Sequence, residues 1–187
     1  MRTCQRWIGW GCGALLGALA AGVSSAQTNE FWNEFCLESA GVRYGFAANK
    51  TSDDFQEAAA FVNWYMPWRT EFGQGWLLRS RLDAAAGWLG DRSVDGFVAS
   101  LGPSAVLSYG QIPLSLGVGA SPTLISRSNY DTKNLGGPFE FTTHIGLNWD
   151  FARHFRLGYS WEHISNAGLS QHNPGLNLHM FSISYVF

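Results

Sequence analysis

The sequence predicts an all-β protein, an eight-stranded antiparallel transmembrane β-barrel, and three observations predict it. From residue 38 onward apolar side chains recur at every second position, in segments of roughly ten to fourteen residues divided by turn residues. Aromatic residues are 15% of the chain, with nine Trp and thirteen Phe, against 14% charged residues, a balance suited to a surface bathed in lipid. Mean hydropathy is only -0.06, and beyond the N-terminus no apolar run approaches the roughly 20 residues a spanning helix needs. Strands, which satisfy their backbone in a closed sheet, are the consistent way to cross.

The first segment is set apart from this pattern. Arg2 and Arg6 precede an apolar stretch from Trp7 to Val23, and Ser24-Ser25-Ala26 supplies small residues for cleavage. Residues 1–26 therefore read as a secretory signal peptide, cut after Ala26, in preference to an uncleaved anchor; Trp10-Gly11-Cys12 lacks the aliphatic residue of a lipoprotein signal. The mature chain, 27–187, then carries 10 Lys+Arg against 14 Asp+Glu, from 12 and 14 in the full chain. No basic patch argues for nucleic acid. With Cys4 and Cys12 removed, Cys36 stands alone, closing no intrachain disulfide and offering zinc no thiolate set. No metal or other cofactor is expected.

Residues 27–37, with Phe31, Trp32 and Phe35 at near-helical spacing, read as a short lead-in. The first strand is expected at 38–47, with Val42, Tyr44 and Phe46 on one face and Arg43 and Gly45 on the other. The second, 57–68, is apolar on both faces and ends near Pro67. In the third, Trp76, Leu78, Leu82, Ala84, Ala86 and Trp88 oppose Leu77, Arg79, Arg81 and Asp83, which points to a polar lumen. The fourth, 94–107, shares Phe97, Ala99 and Leu101 on one face, with a bulge or early end at Pro103. The fifth, 112–124, sets Ile112, Leu114, Leu116 and Val118 outward against Ser115, Gly117 and Gly119, small residues where a narrow barrel closes.

Residues 126–138 are polar and Gly-rich, a surface loop. The sixth strand, 139–151, alternates throughout: Phe139, Phe141, Thr143, Ile145, Leu147, Trp149 and Phe151 outward, Glu140, Thr142, His144, Gly146, Asn148 and Asp150 inward. The seventh, 154–166, carries Phe155, Leu157, Tyr159 and Trp161 outward, with Arg156, Gly158, Ser160 and Glu162 inward. The eighth, 176–187, sends Asn177, His179, Phe181, Ile183, Tyr185 and Phe187 outward. Its terminal Phe and alternating aromatics resemble the signal that bacterial outer-membrane barrels present to their assembly machinery. Eight strands make a barrel filled by side chains, which excludes a diffusion pore.

Parity places one more pair outside. His163 and Ser165 end the apolar stripe of the seventh strand, and Asn177 opens the eighth at the same height and on the same face. With both termini periplasmic, that end is extracellular, so three polar groups converge in the outer leaflet. Polar side chains gain nothing from facing acyl chains. A serine hydroxyl becomes nucleophilic when an imidazole takes its proton, and the imidazole needs a third group to fix its tautomer. Ser165, His163 and Asn177 fit these roles, with an acyl ester of the lipid as electrophile. Asn166, or backbone N–H groups at Ala167 and Gly168, are candidate oxyanion donors.

His163-Ile164-Ser165-Asn166-Ala167-Gly168-Leu169, with Gln171, Asn173, Gly175 and the terminal strand, resembles the PagL-type lipid A 3-O-deacylases of Gram-negative outer membranes. The close match covers about twenty residues of one hairpin. The resemblance implies an eight-stranded barrel in the bacterial outer membrane, no metal cofactor, and hydrolysis of the ester-linked acyl chain at position 3 of lipid A, the lipopolysaccharide anchor. It also implies Ser165 as nucleophile and His163 as base. The family's acid, a glutamate, falls on Asn177, whose carbonyl can orient the ring without stabilising an imidazolium by charge. The lumen charges Arg79, Arg81, Asp83, Glu140, His144, Asp150, Arg156 and Glu162 are expected to form a stabilising network. His179 shares the outer face, with stacking on Trp161, a lipid phosphate contact and assistance to His163 as its open roles. A non-catalytic barrel binding lipopolysaccharide or a surface partner is the alternative function, and a soluble lipocalin-like barrel the alternative fold. A homodimer is left open.

Overall fold

The structure is a computed structural model that describes residues 35–48 and 54–187. The expected signal peptide and residues 27–34 of the lead-in lie outside the described residues. Eight antiparallel strands close into one barrel in simple sequential order: β1 Cys36–Ala47, β2 Gln56–Phe72, β3 Trp76–Gly90, β4 Asp95–Tyr109, β5 Leu114–Ile125, β6 Phe139–Ala152, β7 Phe155–Ser165 and β8 Leu176–Val186. The ladder between β1 and β8, from Ser39↔Val186 to Ala47↔Leu178, leaves no free sheet edge, as a bilayer demands. Cys36 is already in β1, so the lead-in is shorter than expected. Cys36 is also disulfide-bonded, in contrast to the expected lone cysteine.

Two prolines behave differently from expectation. Pro67 does not end β2, which continues to Phe72; it sits where the β2–β3 register shifts between Tyr65 and Arg69, a bulge that tolerates its missing N–H. Pro103 does not end β4 either. It pairs with Leu82 of β3, and the cost falls on the other side, where paired residues of β4 and β5 jump from Ser100↔Thr123 to Ser104↔Gly119.

The period-two alternation sorts side chains as the lipid requires. Val42, Tyr44, Phe46, Phe97, Leu116, Val118, Ile145, Leu147, Trp149, Leu157, Trp161, Phe181 and Ile183 are exposed on the outside. Inside, Arg43 bonds Glu57 at 2.5 Å and Glu162 at 3.0 Å, Arg81 bonds Asp83 at 2.6 Å and Glu38 at 3.5 Å, and Arg156 bonds Asp150 at 2.6 Å and also Glu38. His144 lies 3.7 Å from Asp83. Every carboxylate in this set faces a guanidinium or an imidazole, so the low dielectric strengthens the pairs.

Two members assigned to the network from sequence stand apart from it. Arg79 lies over the Tyr65 ring, 4.7 Å from its centroid. Glu140 is fully buried, and neither of its oxygens has a hydrogen-bond partner among the described residues. The space among Arg43, Arg81, Asp83, His144 and Glu162 is about 100 Å³, and a wider cavity of about 610 Å³ lies at the other end of the network, beside Glu38, Asp150 and Arg156.

Above the network, at the end that carries the β1–β2, β3–β4, β5–β6 and β7–β8 connections, the interior turns apolar. Phe55, Leu89, Val98, Ile125, Tyr130, Leu135, Ile164, Leu176, Leu178 and Met180 form one buried cluster. Leu135 and Tyr130 reach it from the β5–β6 loop, so this loop folds back as a stopper on the barrel mouth. Asp91, in the β3–β4 turn, fixes the loop. One carboxylate oxygen accepts the Ser93 and Val94 N–H groups at 3.2 and 2.9 Å, and the other accepts the Asp131 N–H at 2.8 Å.

Candidate active site

The β7–β8 hairpin builds the site. Antiparallel register sets His163 directly opposite Asn177 and Trp161 opposite His179, while on the other side Ser165 faces Phe141 and His163 faces Thr143. His163, Ser165 and Asn177 thus share the outer face, as parity predicts. Each is half-buried, in contrast to the exposed aromatics below them.

His163 Nδ1 lies 2.7 Å from Asn177 Oδ1. An amide oxygen only accepts, so the ring carries its proton on Nδ1 and presents Nε2 as a lone-pair acceptor. Two further contacts fix the ring plane. Trp161 stacks on it, with centroids 6.1 Å apart and planes at 13°. On another side lies the backbone of Gly175, at φ +63°, where a methyl group in place of hydrogen would stand 2.7 Å from His163 Cε1. Only glycine combines this close approach with a left-handed backbone at no cost.

Ser165 is brought to the same face, and its hydroxyl makes no hydrogen bond within the described residues. Immediately after it the chain bends sharply: Ala167 has φ +52° and Gly168 φ +83°. A left-handed alanine is strained by roughly 1–2 kcal/mol, and such outliers concentrate at functional sites.

The three candidate oxyanion donors separate here. Asn166 is 1% exposed, and its side-chain amide is fully engaged: the N–H groups go to Leu135 O at 3.0 Å and His172 O at 2.7 Å, and its Oδ1 accepts from Gly168 N at 3.0 Å. Its backbone N–H donates to Asn173 Oδ1 at 3.1 Å. The Asn166 side chain and the Gly168 N–H are thus committed to loop structure and are not open to a substrate oxygen. Ala167 N–H donates to no described acceptor.

His179 does not stack on Trp161. Its Nδ1 is 2.9 Å from the Tyr159 hydroxyl, and its ring lies against Phe46 at 5.7 Å and Tyr159 at 6.0 Å. It is one rung farther down the hairpin than Asn177 and outside the His163 hydrogen bond. Glu162 faces the lumen and is bonded to Arg43, so it is no substitute acid.

Residues 57–186, which include the entire hairpin, match a model of the family described as lipid A 3-O-deacylase (PagL). The chain belongs to this PagL family. It is 30% identical over 136 residues to the lipid A deacylase PagL of Bordetella bronchiseptica, covering 64% of this chain and 70% of that protein. Its fold is similar to the crystal structure of the outer membrane enzyme PagL, with a TM-score of 0.68 at 21% identity, covering 78% of this chain and 97% of the other. The chain is accordingly an outer-membrane β-barrel of a hydrolase family, which removes the soluble-barrel alternative.

Several residues of the site were not legible from sequence. Lys133 and Leu135 come from a loop about thirty residues away from the hairpin and reach it only because the loop folds over the mouth. Lys133 Nζ donates to Gly175 O at 2.6 Å, and burial lowers the pKa of its ammonium from the usual 10.5. Gly136 packs against His172 O and the Asn166 side chain, at φ +98°. A Gly-Gly pair inside a polar loop was the available signal, without an address.

Proposed function

We propose that this chain is a serine esterase that removes the ester-linked 3-O acyl chain of lipid A in the outer leaflet of the outer membrane. The observation that carries the reading is the outward-facing His163 held at 2.7 Å by Asn177, on the face that also carries Ser165. In the reaction His163 Nε2 takes the Ser165 proton as Oγ attacks the ester carbonyl, and the resulting oxyanion is met by the Ala167 N–H. Collapse expels the lipid A hydroxyl, which regains the proton from His163. Water, deprotonated by the same nitrogen, then releases the fatty acid and restores Ser165.

Asn177 supports the first part of this cycle more than the second. It fixes the tautomer, but it offers the transient imidazolium a dipole where a carboxylate would offer a charge. The position of the set supports the substrate: an acyl chain lying along Phe141, Trp161 and Phe181 stays in its apolar phase while its ester meets the polar rung above. The test is mass spectrometry of lipid A from cells expressing the protein or its Ser165→Ala form. Loss of one 3-O acyl chain with the native protein and none with Ser165→Ala is expected. Full acylation in both would refute the esterase and favour a lipopolysaccharide-binding barrel.

A further inference from the structure

The β5–β6 loop and the β7–β8 hairpin meet through a short, specific set of contacts that the reaction as written does not use. Lys133 donates to Gly175 O at 2.6 Å, Leu135 O accepts from Asn166 at 3.0 Å, and Leu135 itself is 1% exposed in the cluster with Ile164 and Leu176. The loop therefore holds both ends of the segment that follows Ser165. Gly175 is the point that matters for chemistry, because its backbone forms a wall of the His163 ring. A residue that fixes Gly175 fixes the plane in which Nε2 must point toward Ser165.

We propose that Lys133 is a positioning residue for the hydrolysis: its ammonium, through the Gly175 carbonyl, holds the glycine against His163 and keeps the imidazole in its reactive orientation. The inference rests on the esterase reading. In an enzyme whose imidazole is oriented by an uncharged amide, a rigid second wall has more to do than it would beside a carboxylate. The same loop is tied at its far side to Asp91 and packs Tyr130 on Phe55, with rings 4.9 Å apart. The wall is thus braced on the barrel and not only on the hairpin.

The experiment compares native protein, Lys133→Met, Lys133→Arg and Gly175→Ala, refolded in detergent, on purified lipid A and by NMR of [15N]histidine-labelled samples, with His163→Gln supplying the resonance assignment. Lys133→Met is expected to lower kcat about tenfold at unchanged KM, as loss of orientation does. Lys133→Arg is expected to recover most of that loss, since a guanidinium can still donate to the carbonyl. Gly175→Ala should be at least as damaging as Lys133→Met. In the NMR arm the native His163 should show one sharp Nδ1-protonated form, and Lys133→Met a broadened or mixed-tautomer signal.

A raised KM with unchanged kcat would overturn the proposal, by assigning Lys133 to the substrate headgroup. So would an unperturbed His163 signal in folded Lys133→Met. Heat-modified gel mobility identifies folded samples, and a variant that does not fold is replaced by Lys133→Gln. An inactive native protein would refute the esterase reading, while the NMR comparison would still decide whether Lys133 orders the ring.

Discussion

Replacing Asn177 by leucine separates orientation from charge in the site. The side chains are similar in size, so the change removes the acceptor 2.7 Å from His163 Nδ1 with little change in packing. In the resting enzyme the lost bond is a neutral one, of about 1 kcal/mol, whereas in the transition state the ring is becoming an imidazolium and the bond is charge-assisted, at about 1.5–3 kcal/mol. Only the difference, about 0.5–2 kcal/mol, raises the barrier of the proposed reaction, which at about 1.4 kcal/mol per decade is roughly a two- to thirtyfold fall in kcat. The loss stops there because Trp161 and Gly175 still hold the ring plane. Asn177→Asp places a charge where the dipole was and should raise kcat about tenfold. The assay is release of fatty acid from lipid A in detergent micelles under saturating substrate. An unchanged kcat in Asn177→Leu would refute Asn177 as the orienting group.

Asn166→Ala removes three hydrogen bonds at the turn after Ser165; a loss of roughly 2–4 kcal/mol of local stability and a large fall in kcat are expected, seen as faster hydrogen exchange at residues 166–175. Glu140→Met should stabilise the barrel by roughly 1–3 kcal/mol, read as a raised urea midpoint of unfolding, because it replaces a buried carboxylate without hydrogen-bond partners among the described residues; a lower midpoint would reveal a partner for Glu140. Asp91 should titrate below its usual 3.8. Burial pushes its carboxyl up, but the N–H groups of Val94, Ser93, Asp131 and Thr132 outweigh that and hold it down. The loop tie is therefore complete above the ordinary carboxylate range and released as pH falls through the lowered value, a sequence that the carboxyl carbon shift of Asp91 and the exchange of the Asp131 amide should follow together.

The strand faces were legible because the side-chain period of a strand is two, so one correctly placed residue places all the others. That is how His163, Ser165 and Asn177 could be set on one outer face, and how Glu162 could be excluded as an acid. Registers carried the reading as far as the hairpin. Charge partners were less legible: Arg43 was placed on the inner face, yet its bonds to Glu57 and Glu162 depend on barrel closure, which brings β1, β2 and β7 together. Glu140 failed for the opposite reason. Parity put it inside, but its height puts it beside the apolar stopper and above the charged network. The loop residues Lys133, Leu135 and Gly136 were beyond reach, since no periodicity governs a loop and their contacts are made across some thirty to forty residues.

The stopper explains how a lipid-facing site can be precise. A side chain on the outside of a barrel has neighbours on one side only, and the other side is fluid. His163 is nevertheless walled by Trp161 from the same strand, by Asn177 across the ladder, and by Gly175 from above. Of these, only Gly175 lies outside the sheet and needs support of its own. That support arrives from the barrel interior: Leu135 is sunk in the apolar cluster with Ile164 and Leu176, the inward neighbours of His163, Ser165 and Asn177 in the chain. The outward-facing residues of the hairpin thus alternate with residues that fix the stopper. A change in the apolar interior at Ile164 or Leu176 would move the wall and the proposed catalytic groups together, which is why rigidity here depends on the inside of the barrel as much as on the polar set outside it.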